Sequence, residues 1–143
     1  MCLLDPGSAA PPKVVTIKLP KLPLQERMVE LAIQVRWHLH NDLHSGYIHP
    51  IVLEQPPYMA GRPGQAYVHL SMGVALGAAL ISSEFSEIVF VAPGTWKKVV
   101  CGNGNASKAE IKTAVLSAFP GLTTSQDAAD AAGIALWFAR RNL

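Results

Sequence analysis

Residues 125–136 read Ser-Gln-Asp-Ala-Ala-Asp-Ala-Ala-Gly-Ile-Ala-Leu, a run of small and apolar residues that contains two carboxylates and no other charge. Alanine favours a helix, and Ser125 is suited to cap its first turn. Residues three apart lie on one helix face with Cβ atoms about 5–6 Å apart, so Asp127 and Asp130 are predicted to point toward the same place. Their neighbours on that face are apolar: Ala131, Ile134 and Trp137. The face is therefore predicted to be mostly buried.

Two ionised carboxylates side by side in a buried setting are costly unless cations neutralise them. The pair therefore indicates a divalent metal ion. Acidic residues also suit the N-terminus of any helix, where they interact favourably with the helix dipole. This stretch alone leaves both interpretations open.

Composition sets the broad class of the protein. The chain has 143 residues, half of them hydrophobic, which predicts one domain over residues 1–143 with a substantial core. Its twelve basic and ten acidic residues give a charge of +2, which does not by itself identify a nucleic-acid-binding protein. If four acids bind metal, however, the twelve basic residues outnumber the six acids that remain, which suits a polyanionic partner.

Two cysteines, Cys2 and Cys101, are too few for a disulfide scaffold and lack the spacing of a zinc site. They indicate a reducing compartment. The sequence has no apolar run long enough to span a membrane and no basic region followed by a long hydrophobic one. It therefore predicts a cytoplasmic protein with no membrane partner.

The order of predicted elements indicates an α/β domain with a mixed sheet, because strands alternate with helices after an initial strand pair. Strands are expected at 1–4, 14–19, 48–54 and 87–91. Helices are expected at 24–43, 66–81, 96–100, 107–119 and from 125 onward, with a turn and cap at 93–95. Ser107 and Glu110 form a capping-box pattern at the start of the fourth helix.

Two of these strands end in a carboxylate, Asp5 and Glu54, each followed by turn residues. Active sites in α/β sheets gather at the carboxyl ends of strands. Asp5, Glu54, Asp127 and Asp130 are therefore predicted to converge. Four carboxylates provide the oxygen ligands for two Mg²⁺ or Mn²⁺ ions, as in two-metal phosphodiester hydrolysis.

Four histidines cluster at and after the end of the first helix: His38, His40, His44 and His49. Their spacing fits none of the usual metal sites. We interpret them as a solvent-exposed helix end and loop.

Four segments resemble, in the same order, the motifs of the RuvC-type Holliday-junction resolvases: 4–8 (Leu-Asp-Pro-Gly-Ser), 53–55 (Leu-Glu-Gln), 99–108 (Val-Val-Cys-Gly-Asn-Gly-Asn-Ala-Ser-Lys) and 127–131 (Asp-Ala-Ala-Asp-Ala). The resemblance implies an RNase H-like mixed β-sheet flanked by helices. Because residues 9–23 have room for only one strand, the N-terminal strand region is expected to be shortened. The resemblance to this family also implies a nucleoid-associated protein of a bacterial or phage-infected cell.

The activity that the resemblance implies is magnesium-dependent cleavage of two opposed strands of a four-way DNA junction by a homodimer. Asp5, Glu54, Asp127 and Asp130 correspond to the ligands of two Mg²⁺ ions, for which Mn²⁺ should substitute. The helix around Ala66 to Ile81 corresponds to the dimer interface.

Four further residues are expected to contact the DNA. Lys97 and Lys108 match basic positions of the family, and Lys108 is also expected to take part in catalysis. Arg62 lies in the Gly-rich loop after Glu54 and could meet a phosphate. Tyr58 adjoins the position where the family has a base-stacking aromatic residue.

Two alternatives remain open at this stage. One is a non-catalytic dimer that binds junctions and whose metal site is spoiled by the short N-terminus. The other is a related RNase H-like nuclease that acts on single strands or RNA–DNA hybrids. The presence of all four carboxylates favours a catalytic junction resolvase over the non-catalytic dimer.

Overall fold

A computed structural model describes residues 2–3, 12–42, 49–55, 65–82, 85–122 and 125–141. The chain order is strand β1 (Cys2–Leu3), strand β2 (Lys13–Val14), helix α1 (Leu24–Asp42), strand β3 (His49–Glu54), helix α2 (Gln65–Ser82), strand β4 (Phe85–Val91), helix α3 (Pro93–Cys101), helix α4 (Lys108–Ala118) and helix α5 (Gln126–Arg141). The described ranges thus combine five helices with short strands, and the predicted α/β class is confirmed.

The strands of the described residues form two small sheets instead of one mixed sheet. Strand β1 pairs antiparallel with β2, with Cys2 opposite Val14 and Leu3 opposite Lys13. Strand β3 is the neighbour of β4 in a small parallel sheet. The expected initial strand pair is present, and the sheets of the described residues are small, as expected.

The second strand was predicted too long and too late in the chain. It covers Lys13–Val14, and residues 15–20 form no strand. Val15 is buried and the following residues alternate in exposure, so the β-branched pattern does produce an extended segment. A strand also needs a neighbour for its backbone groups, and β1, which supplies that neighbour, is two residues long.

The chain packs as two compact units. The first, called here the site unit, contains β1, β2, the ends of β3 and β4, and helices α3 to α5. The second, the helix-pair unit, contains α1, α2 and the beginnings of β3 and β4.

In the helix-pair unit, α1 packs along α2. The predicted apolar face of α1 is buried through Met28, Val35 and Leu39, a spacing of seven and four residues that keeps them on one side of the helix. Two polar contacts also join the helices. Ser71 Oγ donates a hydrogen bond to Met28 Sδ at 3.8 Å, and the Arg27 guanidinium lies 4.9 Å from the centre of the Tyr67 ring.

In the site unit, α3 and α4 pack against α5 around a core of apolar side chains. Trp96, Ile111 and Val115 are fully buried there, and Ala129 and Ala132 of α5 have no exposed surface. Alanines on the buried side of α5 let α3 and α4 approach closely. Large side chains from those two helices therefore fill the core.

The predicted capping box of α4 is confirmed. Ser107 Oγ accepts from the Glu110 backbone N–H at 3.4 Å, and the Glu110 carboxylate accepts from the Ser107 backbone N–H at 2.7 Å. These two hydrogen bonds satisfy donors that an uncapped helix start leaves free.

Helix α3 starts earlier than predicted. Residues 93–95, expected to be a turn with a cap, form its first turn, and no side chain caps it. Proline suits this position because the first N–H groups of a helix have no intrahelical partner. The helix ends at Gly102, whose φ of +77° is the left-handed conformation that glycine adopts without strain.

None of the helices in the described ranges combines the length and the apolar character needed to cross a membrane.

Candidate metal and nucleic-acid site

Glu54 is the last residue of strand β3 and lies in the site unit. The backbone N–H of the next residue, Gln55, donates to the Val91 carbonyl at 2.8 Å, which fixes the end of β3 beside the end of β4. The Glu54 side chain is half-buried. Its Oε1 accepts a hydrogen bond from the indole N–H of Trp96 at 3.1 Å. The sequence prediction that Glu54 ends a strand is confirmed.

The predicted helix of Asp127 and Asp130 is also confirmed as α5. Ser125 caps it, because its Oγ accepts from the Ala128 backbone N–H at 3.3 Å. Asp130 is half-buried, and its Oδ1 accepts from Gln126 Nε2 at 3.1 Å.

The prediction that the aspartate face of α5 is mostly buried is correct for Ile134 and Trp137, which are buried, and wrong for Asp127. Asp127 is exposed. The buried residues of the helix are Ala128, Ala129, Ala132, Gly133, Ile134, Leu136 and Trp137. The centre of the side they cover lies a little under half a turn from Asp127 and about a quarter turn from Asp130. The two carboxylates therefore occupy the flank of the helix and its exposed side, where ionised groups cost less.

Lys97 and Lys108, the two predicted basic residues, also belong to the site unit. Lys97 follows Trp96 on α3, and its Nζ lies 5.6 Å from the centre of the Trp96 ring, within the range of a cation–π contact. Lys108 is exposed and is the first residue of α4.

The loop between α3 and α4 connects these two lysines and is tightly built. Asn103 Oδ1 accepts from the Asn105 backbone N–H at 3.0 Å, and the Asn103 carbonyl accepts from Ala106 N–H at 3.1 Å. A Cβ on Gly104 would lie 3.0 Å from the Gly94 carbonyl oxygen. A side chain at position 104 would require the Gly94 backbone to shift by a few tenths of an ångström, so glycine at this position suits the close packing of the loop on the start of α3.

Two ionisable groups at this loop are perturbed. Hydrogen bonds from the Ser107 hydroxyl and then from its backbone N–H lower the pKa of the Glu110 carboxyl. Burial, followed by the Glu110 charge, raises the pKa of the Cys101 thiol, while Lys97 and Arg140 act in the opposite direction. Cys101 therefore stays a neutral thiol at neutral pH.

Three predicted site residues lie outside the described residues: Asp5, Tyr58 and Arg62. Their roles stay predictions. Among the described residues no group of three or more Asp, Glu, His or Cys side chains is close enough to hold a metal ion. The structure thus gives Glu54, Asp127 and Asp130 positions in one unit, and the convergence of the four carboxylates also stays a prediction.

The described histidines of the predicted cluster lie on α1. His40 is exposed, and His38 makes an edge contact with the Trp37 ring at 4.8 Å between centroids. His44 and the side chain of His49 fall outside the described part of the chain.

Two residues next to the site were not predicted from the sequence. The structure places Trp96 against Glu54 and Gly133 against Trp96. Trp96 has 0% of its surface exposed and donates to Glu54. Gly133 of α5 faces Trp96 so closely that an added Cβ would lie 2.7 Å from Trp96 Cζ3. A tryptophan beside two lysines in a short helix, and a glycine within an alanine-rich helix, were the only signals available in the sequence.

Comparison with known proteins places the fold. No family model matches the sequence, and no curated protein sequence matches it. Among solved structures, that of Thermus thermophilus RuvC superposes with a TM-score of 0.71 at 18% identity, covering 99% of this chain and 87% of that one. T. thermophilus RuvC in complex with a Holliday junction substrate gives a TM-score of 0.67 at 20% identity, with coverage of 99% and 86%.

The chain is therefore an α/β protein whose fold matches most of the length of these two solved chains. That fold is the fold of RuvC. The resemblance to RuvC-type resolvases, first drawn from four short motifs, is confirmed at the level of the fold.

Proposed function

We propose that this chain is a divalent-metal-dependent endonuclease with an RNase H-like fold that cleaves four-way DNA junctions. The observation that carries the proposal is the likeness over 99% of the chain to RuvC, including RuvC bound to a Holliday junction substrate. The position of Glu54 at a strand end and of the Asp127–Asp130 pair on α5, within one compact unit, supports it.

The proposed metal ligands are Asp5, Glu54, Asp127 and Asp130. Their donor set is oxygen only, which suits hard cations such as Mg²⁺ and Mn²⁺. Among the described residues, Glu54 accepts a hydrogen bond from the Trp96 indole and Asp130 from the Gln126 amide, both of which are neutral donors that leave the carboxylate charge uncompensated. Bound divalent cations supply charge neutralisation at the phosphate and activation of water.

The chain's own residues prepare this site in distinct ways. Trp96 holds Oε1 of Glu54, and Oε2 accepts from no donor among the described residues. Lys97 and Lys108 neutralise phosphate charge on the DNA, a contribution that falls as salt rises. Arg62 contacts a further phosphate, and Tyr58 stacks on an unpaired base at the junction.

Cleavage of two opposed strands needs two sites, and a homodimer through α2 would provide them. Leu70 and Ile81 are exposed apolar residues of this helix. Gly73 and Gly77 lie between them, and a Cβ added at either would meet nothing described within 4 Å. This stripe leaves room for close approach of a second helix.

Substituting Gly73→Leu tests the dimer, because the structure has space for the side chain within one protomer. We expect mass measurement at micromolar concentration to change from dimer to monomer and paired-strand cleavage to fall. Val68→Leu adds a leucine at an exposed position on the other side of α2 and should leave the dimer intact. A wild-type monomer that still cleaves both strands of a junction would count against this interface.

The activity is tested with a labelled four-way junction, a linear duplex and an RNA–DNA hybrid, each with and without Mg²⁺, using wild type and Glu54→Gln. We expect Mg²⁺-dependent cleavage of the junction alone, lost in the variant with junction binding retained. Binding without cleavage by wild type would establish the non-catalytic alternative. Equal cleavage of the RNA–DNA hybrid would establish a nuclease of different specificity.

A further inference from the structure

Trp96 contacts the two elements that carry the described members of the proposed metal-ligand set. It lies on α3, has no exposed surface, and contacts β3 through Glu54 and α5 through Gly133. Its neighbours in the core include Ala129 and Ala132, on the same side of α5 as Gly133.

The hydrogen bond to Glu54 satisfies a strict requirement of Trp96. An indole has one donor and no acceptor, and a buried donor without a partner is costly. The partner here is a carboxylate oxygen at 3.1 Å, and a bond to an ionised acceptor is stronger than one to a neutral group. The bond fixes Oε1 and thereby sets the direction in which Oε2 points.

The contact with Gly133 fixes Trp96 from the other side. An added Cβ would lie 2.7 Å from Cζ3, 3.3 Å from Cε3 and 3.4 Å from Cη2, so the ring rests directly on the α5 backbone. A buried aromatic ring in a close-packed core has no room to move aside. The ring therefore acts as a rigid spacer between α5, one turn after Asp130, and the Glu54 carboxylate.

We infer that Trp96 is a positioning residue for the metal site: it orients Glu54 through its N–H and fixes the spacing between Glu54 and the aspartate helix through its contact with Gly133. The inference rests on the proposed function, since it concerns how that site is assembled. Partners that orient metal ligands typically change metal affinity 10–100-fold when they are removed.

The test replaces Trp96 with benzothienylalanine, in which sulfur takes the place of the N–H and the ring keeps its size. Trp137, a second largely buried tryptophan of the same core, receives the same replacement as the matched control. Calorimetric titration with Mn²⁺ measures affinity in the absence of DNA, and thermal melting measures the fold. A role in packing alone predicts unchanged affinity in both variants.

We expect Mn²⁺ to bind the Trp96 variant roughly tenfold or more weakly than wild type, with melting close to wild type, while the Trp137 variant binds normally. We also expect the indole N–H NMR signal of Trp96 in the metal-free protein to shift when Glu54 is changed to Gln. Wild-type Mn²⁺ affinity in a folded Trp96 variant would overturn the inference and leave the metal site standing. Absence of Mn²⁺ binding by wild type would instead remove the proposed metal site, and this inference with it.

Discussion

The contact between Gly133 and Trp96 makes Gly133→Ala an informative substitution. Alanine is favoured over glycine inside a helix by about 0.8–1 kcal/mol, so helix propensity alone predicts a more stable protein. The new Cβ would however lie 2.7 Å from Trp96 Cζ3, and overpacking of a well-packed core costs about 1–3 kcal/mol. We expect the steric cost to win, with a net loss of about 1 kcal/mol, or about 3 °C in Tm.

A double-mutant cycle with Trp96→Phe isolates the contact. Phenylalanine is smaller than tryptophan, so Trp96→Phe alone should cost about 2 kcal/mol through the space it leaves. The methyl group of Gly133→Ala enters part of that space. The double variant should therefore be more stable than the sum of the single effects by about 1–2 kcal/mol, within the range found for residues in contact.

Urea denaturation of the four proteins provides the measurement, with Ala131→Gly as the control. Ala131 is half-buried on the same helix, and this substitution measures the propensity term without a clash at Trp96. Two results together would rule out a tight contact between Gly133 and Trp96. Gly133→Ala would raise the free energy of unfolding by the amount that Ala131→Gly lowers it, and the effects of Gly133→Ala and Trp96→Phe would be additive.

Three further predictions concern the charged and titratable residues. Asp130→Asn should leave the metal-free Tm unchanged or raise it, because one like charge is removed from the site while Oδ1 can still accept from Gln126. Junction binding should persist and cleavage should be lost. Cleavage at the wild-type rate would remove Asp130 from the proposed ligand set. Lys108→Ala should lower the slope of log affinity against log salt concentration by about 0.9, the contribution of one phosphate contact. Lys112 is exposed on the same helix, and Lys112→Ala should leave the slope unchanged. Equal slopes in both variants would contradict the role of Lys108. Burial raises the pKa of the Cys2 thiol from 9.0 to about 11, so the stability that the neutral thiol contributes is complete below pH 9 and is lost as pH rises toward 11. The Tm of a Cys2→Ala variant should therefore fall less than that of wild type between pH 9 and pH 11. Equal falls in Tm would contradict this role of the thiol.

The helices were predictable because their signals are local. The capping box of α4 depends on two residues three positions apart, and α2 runs over Gln65–Ser82 where 66–81 was expected. The bounds predicted for the second strand were wrong, because a strand forms where it has a pairing partner and sequence periodicity does not specify that partner.

The elements that carry Glu54, Asp127 and Asp130 were predictable, and the surroundings of these side chains were not. Glu54 at a strand end follows from an apolar run that stops at a carboxylate. The burial of α5 followed only in part: Ile134 and Trp137 are buried as expected, whereas Asp127 is exposed and nothing in the sequence around it indicates this. The contact of Trp96 with Glu54 and Gly133 joins three distant parts of the sequence, and no local pattern encodes such a contact.

The close approach of Gly104 to Gly94 has a consequence for how the protein fluctuates. The loop after α3 folds back onto the first turn of that helix, so neither end of α3 can fray without breaking the loop contacts as well. Segments held in this way open and close as one cooperative unit in native-state hydrogen exchange. Lys97 and the start of α4 at Lys108 are therefore expected to belong to one such unit with Trp96, and the two lysines proposed to bind DNA should open together with the buried core beneath them.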